Sequence, residues 1–590
     1  MAMGAQFVLR RAVNALSCLV LALILSCAAI AQEPPTPETR DSAPNFVVIL
    51  IDDAAFMDLG VYGGEAKTPN IDGLAAAGAM FTNYRSSPLC SPSRAMLLTG
   101  VDNHRTGVAT IPEVLPPEHV GKPGYTMSLE PGVLTIADRL KPLGYRTLMT
   151  GKWHLGSGEG DLPNAHGFDR SFALDASGAD NWEDKPYMPF YAEAPWYEDG
   201  VEADLPEDFY SSQFIVDRMI DYLDEGEADQ PFLAYLAFQA VHIPVQAPAE
   251  FTANYDGVYD GGWEVMQTER WERAKDLGFI PEGAAQPDFH PSLRDWDDLS
   301  PEQKTLFSAR MQVNAGMLEA MDHHVGSFIA HLKATRRYEN TVFVVTSDNG
   351  PEPSDVDDPR MDLWLAMNGY HRGLENIGEK GSYVFIGPEF ASAASSPGYL
   401  FKFYASEGGV RVPLIISGPG ISSGGRFDAI STVTDIMPTL LDFAGAADAP
   451  PGSVSIDGRS LSKLLSGETD QVYGPEDSID IEVSGNSALY RGVFKIVRNQ
   501  PPIADGLWRL FDLANDPGET NDLSAENAAL LNEMVAEYRL YAARNGVLET
   551  PDGYNSVHQV EINMAQAIAS RNRGKLIAAI AVFVLVLALL

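Results

Sequence analysis

Cysteine is nearly absent from this chain. Its 590 residues hold three: Cys18, Cys27 and Cys90. The first two fall in an N-terminal stretch that reads as an export signal. Arg10 and Arg11 precede an apolar run from about Ala15 to Ile30, and Ala29-Ile30-Ala31 forms an A-x-A cleavage site that leaves Gln32 first. A second reading takes Ile24-Leu25-Ser26 as a lipoprotein motif before Cys27, with Leu25 a poor fit. Cleavage after Ala31 leaves Cys90 alone. An exported protein normally pairs its cysteines, so Cys90 is buried and inert, paired between chains, or chemically used.

Positive charge is also scarce. Lys and Arg total 41 against 81 Asp and Glu, a formal net charge of −40. Such a chain repels nucleic acid and anionic membrane surfaces, which excludes a nucleic-acid role. The acidity reads as solubility in a salty exterior rather than as a specific partner. Disorder is excluded too, because apolar residues make up 45% and charged residues 21%. No internal repeat is present.

Long hydrophobic runs are confined to the two ends. The C-terminal one, Leu576 to Leu590, follows Arg571, Arg573 and Lys575. As a helix it reaches only about 22 Å, short of the ~30 Å hydrocarbon core. Its flanking charges lie on what would be the outer side, against the positive-inside tendency. With nothing polar in it, the run is nevertheless expected to be a membrane tail rather than a core helix.

Between these ends the pattern is that of a large α/β protein. Residues 32–44 form a Pro-rich linker, and Asn45–Ile51 is a continuous apolar run typical of a strand buried on both faces. Similar runs recur at Tyr145–Met149, Phe232–Phe238, Thr341–Thr346 and Pro413–Ile416. Helical patterns intervene at Asn70–Ala79, Leu134–Leu143, Phe214–Leu223 and Ser308–Arg337. The alternation predicts a large, mostly parallel sheet flanked by helices, with ligands bound beyond the carboxyl ends of its strands. The stretch 250–305 reads as an insertion without periodicity. After a Gly- and Pro-rich region, strand candidates Ser478–Val483, Leu489–Val497 and Trp508–Leu513 and a helix over about 525–544 predict a smaller α+β subdomain on an antiparallel sheet. The expected division is signal 1–31, linker 32–44, catalytic domain 45–465, C-terminal subdomain 466–555, linker 556–575 and hydrophobic tail 576–590.

Chemistry-bearing residues gather at the strand ends. In Cys90-Ser-Pro-Ser-Arg94, Ser91 suits a helix cap, Pro92 the first turn and Gly100 the exit. Cys90 therefore stands at a helix N-terminus that favours anions, with Arg94 one turn in. Alone, the pattern also describes a buried cysteine beside an ordinary helix start. A thiol phosphatase loop needs its Cys and Arg six positions apart, and here they are four apart. Asp52 and Asp53 end the first strand, and Asp348 and Asn349 end Thr341–Thr346. Each pair is an ordinary turn or cap by itself. Together they supply hard oxygen ligands without His or Cys, which suits Ca²⁺ or Mg²⁺ rather than zinc. Lys152 and His154 follow Tyr145–Met149, His242 follows Phe232–Phe238, and Lys402 precedes the turn Glu407-Gly-Gly-Val-Arg-Val-Pro413. Singly such residues are more often structural, as His104, His166, His323 and His324 are expected to be.

Cys90-x-Pro92-Ser93-Arg94-x-x-x-x-Thr99-Gly100 resembles the sulfatase signature of the alkaline-phosphatase-like superfamily, and Gly151-Lys152-Trp-His154-Leu-Gly156 resembles its second signature. The order Asp52-Asp53, Cys90, Arg94, Lys152, His154, His242, Asp348-Asn349, Lys402 matches the family's catalytic set over about 45–545. The stretch from Gly387 through Tyr399 to Pro413 is similar to the bacterial arylsulfatase branch that includes alkylsulfatases. The resemblance implies an arylsulfatase-like sulfuric ester hydrolase in the periplasm or on the outer cell surface. It implies one Ca²⁺ per chain, with Mg²⁺ the second choice, held by Asp52, Asp53, Asp348, Asn349 and the modified Cys90. It also implies a maturation enzyme that oxidises Cys90 to formylglycine, whose hydrate is the nucleophile. Arg94 would orient that group, Lys152 and Lys402 would hold sulfate oxygens, and Asp348 would take a proton. His154 would assist collapse of the sulfated intermediate, and His242 would serve the leaving oxygen. The competing readings are a phosphodiesterase or phosphonate monoester hydrolase on the same scaffold, and a non-catalytic tethered anion binder. The loops 170–230 and 250–305 carry no readable substrate code.

Overall fold

A computed structural model describes residues 43–446 and 450–589, with side chains as far as Arg573. The expected export signal, residues 32–42 of the expected linker and the side chains of the C-terminal apolar run lie outside the described residues. Among the described residues sixteen strands run in chain order. They are β1 Asn45–Ile51, β2 Ala79–Phe81, β3 Tyr84–Arg85, β4 Arg146–Lys152, β5 Arg170–Leu174, β6 Trp196–Glu198, β7 Val201–Ala203 and β8 Phe232–Ala237. There follow β9 Thr341–Ser347, β10 Leu414–Ser417, β11 Gly425–Phe427, β12 Ser431–Thr432, β13 Ser478–Val483, β14 Asn486–Arg491, β15 Phe494–Arg498 and β16 Arg509–Asp512.

Ten of these strands form one sheet in the order β11-β2-β10-β9-β1-β8-β4-β5-β6-β7. Its centre, β9-β1-β8-β4-β5, is parallel throughout. β10 and the β5-β6-β7 edge run antiparallel. The unbroken apolar run of β1 has a direct cause. Val47, Ile49 and Ile51 enter one core and Phe46, Val48 and Leu50 the other, so both faces of the strand are covered. One face carries the 34-residue helix Pro301–Ala334, which starts with a Ser300–Gln303 capping box and proline in its first turn. The other carries the helices Cys90–Thr99 and Ile436–Phe443.

The four-stranded sheet β13-β14-β15-β16 is wholly antiparallel and packs Leu489, Ile496 and Leu510 against the helix Ala528–Asn545. The segment expected as one strand, Leu489–Val497, is two. Gly492, at φ +58°, turns β14 back onto β15. The insertion 250–305 contains the helix Trp263–Asp276. Its helical period is obscured because Arg270 points inward, ion-paired to Asp58 at 2.7 Å and Glu65 at 2.6 Å. The stretch 556–575, expected as a linker, belongs to the helix Ser556–Leu589. Asn563 fixes it by donating to the carbonyls of Pro112, Glu113 and Leu115. Among the described residues no helix is long and apolar enough to cross a membrane.

Candidate active site

The register of the central strands builds the site. Ile51 of β1 pairs with Ser347 of β9, so the residues that follow, Asp52-Asp53 and Asp348-Asn349, emerge side by side at one edge. Asp53 turns into the left-handed region at φ +64° and its N–H donates to Asp348 Oδ1 at 3.1 Å. On the other side of β1, Gly151 of β4 lies against Ala237 of β8 so closely that a Cβ would stand 1.9 Å from the Ala237 carbonyl oxygen. That close approach brings Lys152 and then His154, itself at φ +56°, to the same edge. Strained backbone at Asp53 and His154 is the kind that accumulates where side chains must be aimed.

Cys90 opens the helix Cys90–Thr99, which Gly100 closes in the left-handed conformation. The cap differs from expectation. Leu89, not Ser91, holds the extended N-cap position, and no side chain caps it. Ser91 lies inside the first turn and donates to the His154 carbonyl at 2.7 Å, tying the Cys90 loop to the β4 end. No side chain therefore occupies the N–H groups at this helix start. Cys90 is buried, with Sγ 4.0 Å from Asp53 Oδ1. Burial pushes its thiol well above the usual range, so Cys90 is no ready thiolate.

Three cations face the carboxylates. Arg94 binds Asp348 Oδ2 through Nε at 3.0 Å and its terminal nitrogen at 2.8 Å, and reaches the Lys152 carbonyl at 3.0 Å. Lys152 Nζ sits 2.6 Å from Asp52 Oδ2. Lys402 Nζ sits 2.8 Å from Asp53 Oδ1 and 2.7 Å from Glu352 Oε2. The chain places Lys402 by folding tightly on itself: a Cβ at Gly408 would stand 2.0 Å from the Leu400 carbonyl oxygen, and one at Gly409 2.1 Å from that of Tyr404. Burial opposes the charge of Lys402, but Asp53 and its neighbours raise its pKa well above the usual range. Burial pushes the Asp53 carboxyl up to about 8 in spite of Lys402, helped by the like charge of Asp52. At Asp52 burial is outweighed by Lys152 and Arg94, and the pKa is lowered. Burial and Asp52 together raise Asp348.

The two histidines are held neutral, both lowered well below the usual imidazole range, chiefly by burial. His242 Nδ1 lies 2.6 Å from the Ile243 carbonyl, which can only accept, so Nδ1 carries the proton and Nε2 faces Asp53 Oδ2 at 3.8 Å. His154 has no hydrogen-bond partner at either ring nitrogen. The structure therefore brings together Asp52, Asp53, Cys90, Arg94, Lys152, His154, His242, Asp348, Asn349 and Lys402. His104 lies apart from them, bonded to Asp102 and Glu482. One buried member was not anticipated. Glu352 pairs with Lys402, and despite burial Lys402 and His242 lower its pKa to about 2. Its signal was an acid four residues past Asp348, on a loop with no strand pattern to flag it.

Asp52, Asp53, Cys90 and Asp348 each offer a ligand atom, all within 4.8 Å of one another. Asp52 Oδ1 and Asn349 Oδ1 are buried without a hydrogen-bond partner. Buried acceptors are rarely left unpaired, and hard oxygens in this arrangement fit a metal ion.

The Sulfatase family model matches residues 44–446. The chain belongs to the sulfatase family. An arylsulfatase of Klebsiella aerogenes is 36% identical over 413 residues, covering 69% of this chain and 88% of that protein. An uncharacterised sulfatase of Schizosaccharomyces pombe is 34% identical over 541 residues, covering 88% and 96%. The solved structure of Ps i-CgsB in complex with k-i-k-neocarrahexaose superposes with a TM-score of 0.61 at 23% identity, covering 89% of this chain and 97% of that one. This likeness concerns the fold. The sulfatase described here is an enzyme of sulfate-ester hydrolysis, and its buried acidic cluster fits the metal site such enzymes use.

Proposed function

We propose that this sulfatase is an exported, arylsulfatase-type hydrolase of sulfate monoesters whose nucleophile is a formylglycine made from Cys90, working beside one Ca²⁺. The observation that carries the proposal is Cys90 at a helix N-terminus, 4.0 Å from Asp53, among three buried cations. The hydrated aldehyde supplies an attacking hydroxyl, and a second hydroxyl whose deprotonation releases sulfate after the alcohol has left. Asp52, Asp53, Asp348, Asn349 and the modified Cys90 hold the cation, which supplies Lewis-acid polarisation of sulfate oxygens.

The remaining roles belong to the chain's own side chains. Arg94, clamped on Asp348, orients the modified residue, and Asp348 accepts the proton of the attacking hydroxyl. Lys152 and Lys402 each turn donors toward the sulfate oxygens as charge accumulates. His154, with both ring nitrogens free, bonds the second hydroxyl and assists collapse. His242, its Nδ1–H fixed by the Ile243 carbonyl, lies beside the leaving oxygen with Lys402, and the Lys402 ammonium gives that oxygen the proton or hydrogen bond that the bare Nε2 of the neutral ring cannot. A separate maturation enzyme oxidises Cys90, and the tail 576–590 holds the exported protein at a membrane. Deleting 576–590 and fractionating cells tests attachment; a full-length protein already soluble outside the membrane fraction refutes it.

Mass spectrometry of the peptide containing Cys90 decides the nucleophile, since an intact, alkylatable thiol in fully active enzyme rules out formylglycine. Matched aryl sulfate, phosphate monoester and phosphodiester substrates decide the reaction. The sulfate is expected to give the highest kcat/KM, and faster turnover of the diester would make the protein a phosphodiesterase.

A further inference from the structure

Beyond the cations the character of the site changes. A cleft of ≈ 360 Å³ opens beside His154 and Ser91, the residue next to Cys90. Two carboxylates, Asp161 and Asp175, stand in its wall, with the hydroxyl-bearing Thr126 and Ser128 and the rings of Phe190 and Tyr191. Among the residues lining it there is no lysine or arginine.

These walls are built rather than incidental. The Asp161 carbonyl accepts from Trp153 Nε1 at 2.7 Å, which fixes that acid to the strand end that carries Lys152. Asp175 follows β5 directly, its N–H donates to the Pro195 carbonyl at 3.0 Å, and its carboxylate accepts from Ser157 Oγ at 2.7 Å. Tyr191 is held at 2.6 Å by the carboxylate of Glu113, itself buried, so the layer behind the wall is acidic too. His154 is over nine-tenths buried, lines the cleft and has no partner of its own.

We infer that this cleft, which meets the catalytic cluster at His154 and Ser91, receives the part of the substrate beyond the reacting group and that it takes a neutral, hydroxyl-bearing ring, a sugar carrying one sulfate and no other charge. The inference rests on the sulfate-ester reading above. The transferred sulfate has its cations at the bottom of the site. A second sulfate or a carboxylate further along the substrate would meet Asp161 and Asp175, and no lysine or arginine lines the cleft to neutralise it. Sugar hydroxyls find carboxylate and hydroxyl acceptors there, and the apolar face of the ring finds Phe190 and Tyr191. Rejection by like charge is how a site discriminates between ligands that share the same reacting end.

The test uses the full chain matured in cells and three probes: 4-nitrophenyl sulfate, N-acetylglucosamine 6-sulfate and glucosamine 2-N,6-O-disulfate. The two sugars differ in a neutral acetyl group against a second sulfate. The expected kcat/KM for 6-sulfate release is higher on the monosulfated sugar by about 30-fold or more. Raising NaCl from ~20 to ~300 mM narrows that ratio several-fold by screening. Replacing both acids, Asp161→Asn with Asp175→Asn, narrows it as well; if that variant fails to fold, the salt series on the wild type still decides. Equal or faster turnover of the disulfated sugar overturns the inference, and so does turnover of 4-nitrophenyl sulfate with neither sugar hydrolysed. No sulfate release from any probe overturns the sulfate-ester reading, and this inference with it.

Discussion

Lys402 and Lys152 both reach the site as buried ammonium groups, but the chain restrains them differently. Lys152 is held by Asp52 alone, whereas Lys402 is shared between Asp53 and Glu352. Glu352 is itself fixed by Ser354, whose N–H and hydroxyl donate to its Oε1 at 3.0 and 2.6 Å. Glu352 therefore works as a positioning residue for Lys402. Glu352→Gln keeps the shape and removes the charge, and it is expected to lower kcat by ~10–100-fold, the usual cost of losing such a support. Steady-state kinetics check this, and a Glu352→Asp variant should recover part of the loss; an unchanged kcat would make Glu352 a bystander. Most polar members of the site were legible in the sequence, because they follow a buried strand or belong to a spaced motif, whereas Lys402, which follows no strand, stood out only through the family resemblance. Glu352 was not, since Gly350 and Pro351 carry the chain away from β9 before it. The Ser91 cap was misread for a related reason: its hydroxyl is taken by His154, a partner that only the fold supplies.

Between elements, several buried polar contacts tie the C-terminal portion to the catalytic core, Lys495 to Glu407 at 2.9 Å among them, and two others carry predictions. His104, in the turn of helix Asn103–Thr106, lies 2.6 Å from Glu482 of β13 and 3.1 Å from Asp102, which also accepts from Tyr541 at 2.7 Å. Burial opposes the imidazolium, but Asp102 and Glu482 raise its pKa to about 9. A folded pKa above the unfolded value of about 6.5 means stability that is complete below 6.5 and lost as pH rises through 9. The loss is at most about 3 kcal/mol. His104→Gln is therefore expected to flatten the fall in Tm between those pH values, and an unchanged slope would contradict the assignment. The second contact is Asn563. Asn563→Ala strands three carbonyls of the wall Pro112–Leu115 and should cost ~1–3 kcal/mol in denaturant titration. It was hidden in the sequence because a polar side chain, Asn563, makes this attachment rather than an apolar stripe. Residues 489–497 misled for the opposite reason, since their apolar character continues through the Gly492 turn. The central strands were legible because burial on both faces leaves a signal that no turn interrupts.

Across the whole molecule the centre of charge is unusual for an interior. Asp52, Asp53, Asp348 and Glu352 converge on Arg94, Lys152 and Lys402, all nearly inaccessible to solvent. Carboxylates outnumber cations there, and two buried oxygens, on Asp52 and Asn349, remain unsatisfied. Such an arrangement carries a standing penalty, because ions withdrawn from water need partners. A divalent cation bound by the folded chain removes that penalty, and through mass action it stabilises the fold at the junction of β1 and β9. The protein's Tm should therefore rise with Ca²⁺, by the equivalent of about 1.4 kcal/mol for each tenfold increase above Kd. Chelation should lower Tm and abolish turnover together. Asn349→Ala removes a neutral ligand without leaving an unpaired charge, so it should keep the fold while shifting the Ca²⁺ dependence to higher concentration. Scanning calorimetry over a Ca²⁺ series, with Mg²⁺ and Zn²⁺ in parallel, reads stability without relying on activity. A Tm indifferent to every divalent cation would show that the carboxylates are balanced by Arg94, Lys152, Lys402 and bound protons alone. A larger response to Mg²⁺ would change the ion and leave the ligands as assigned.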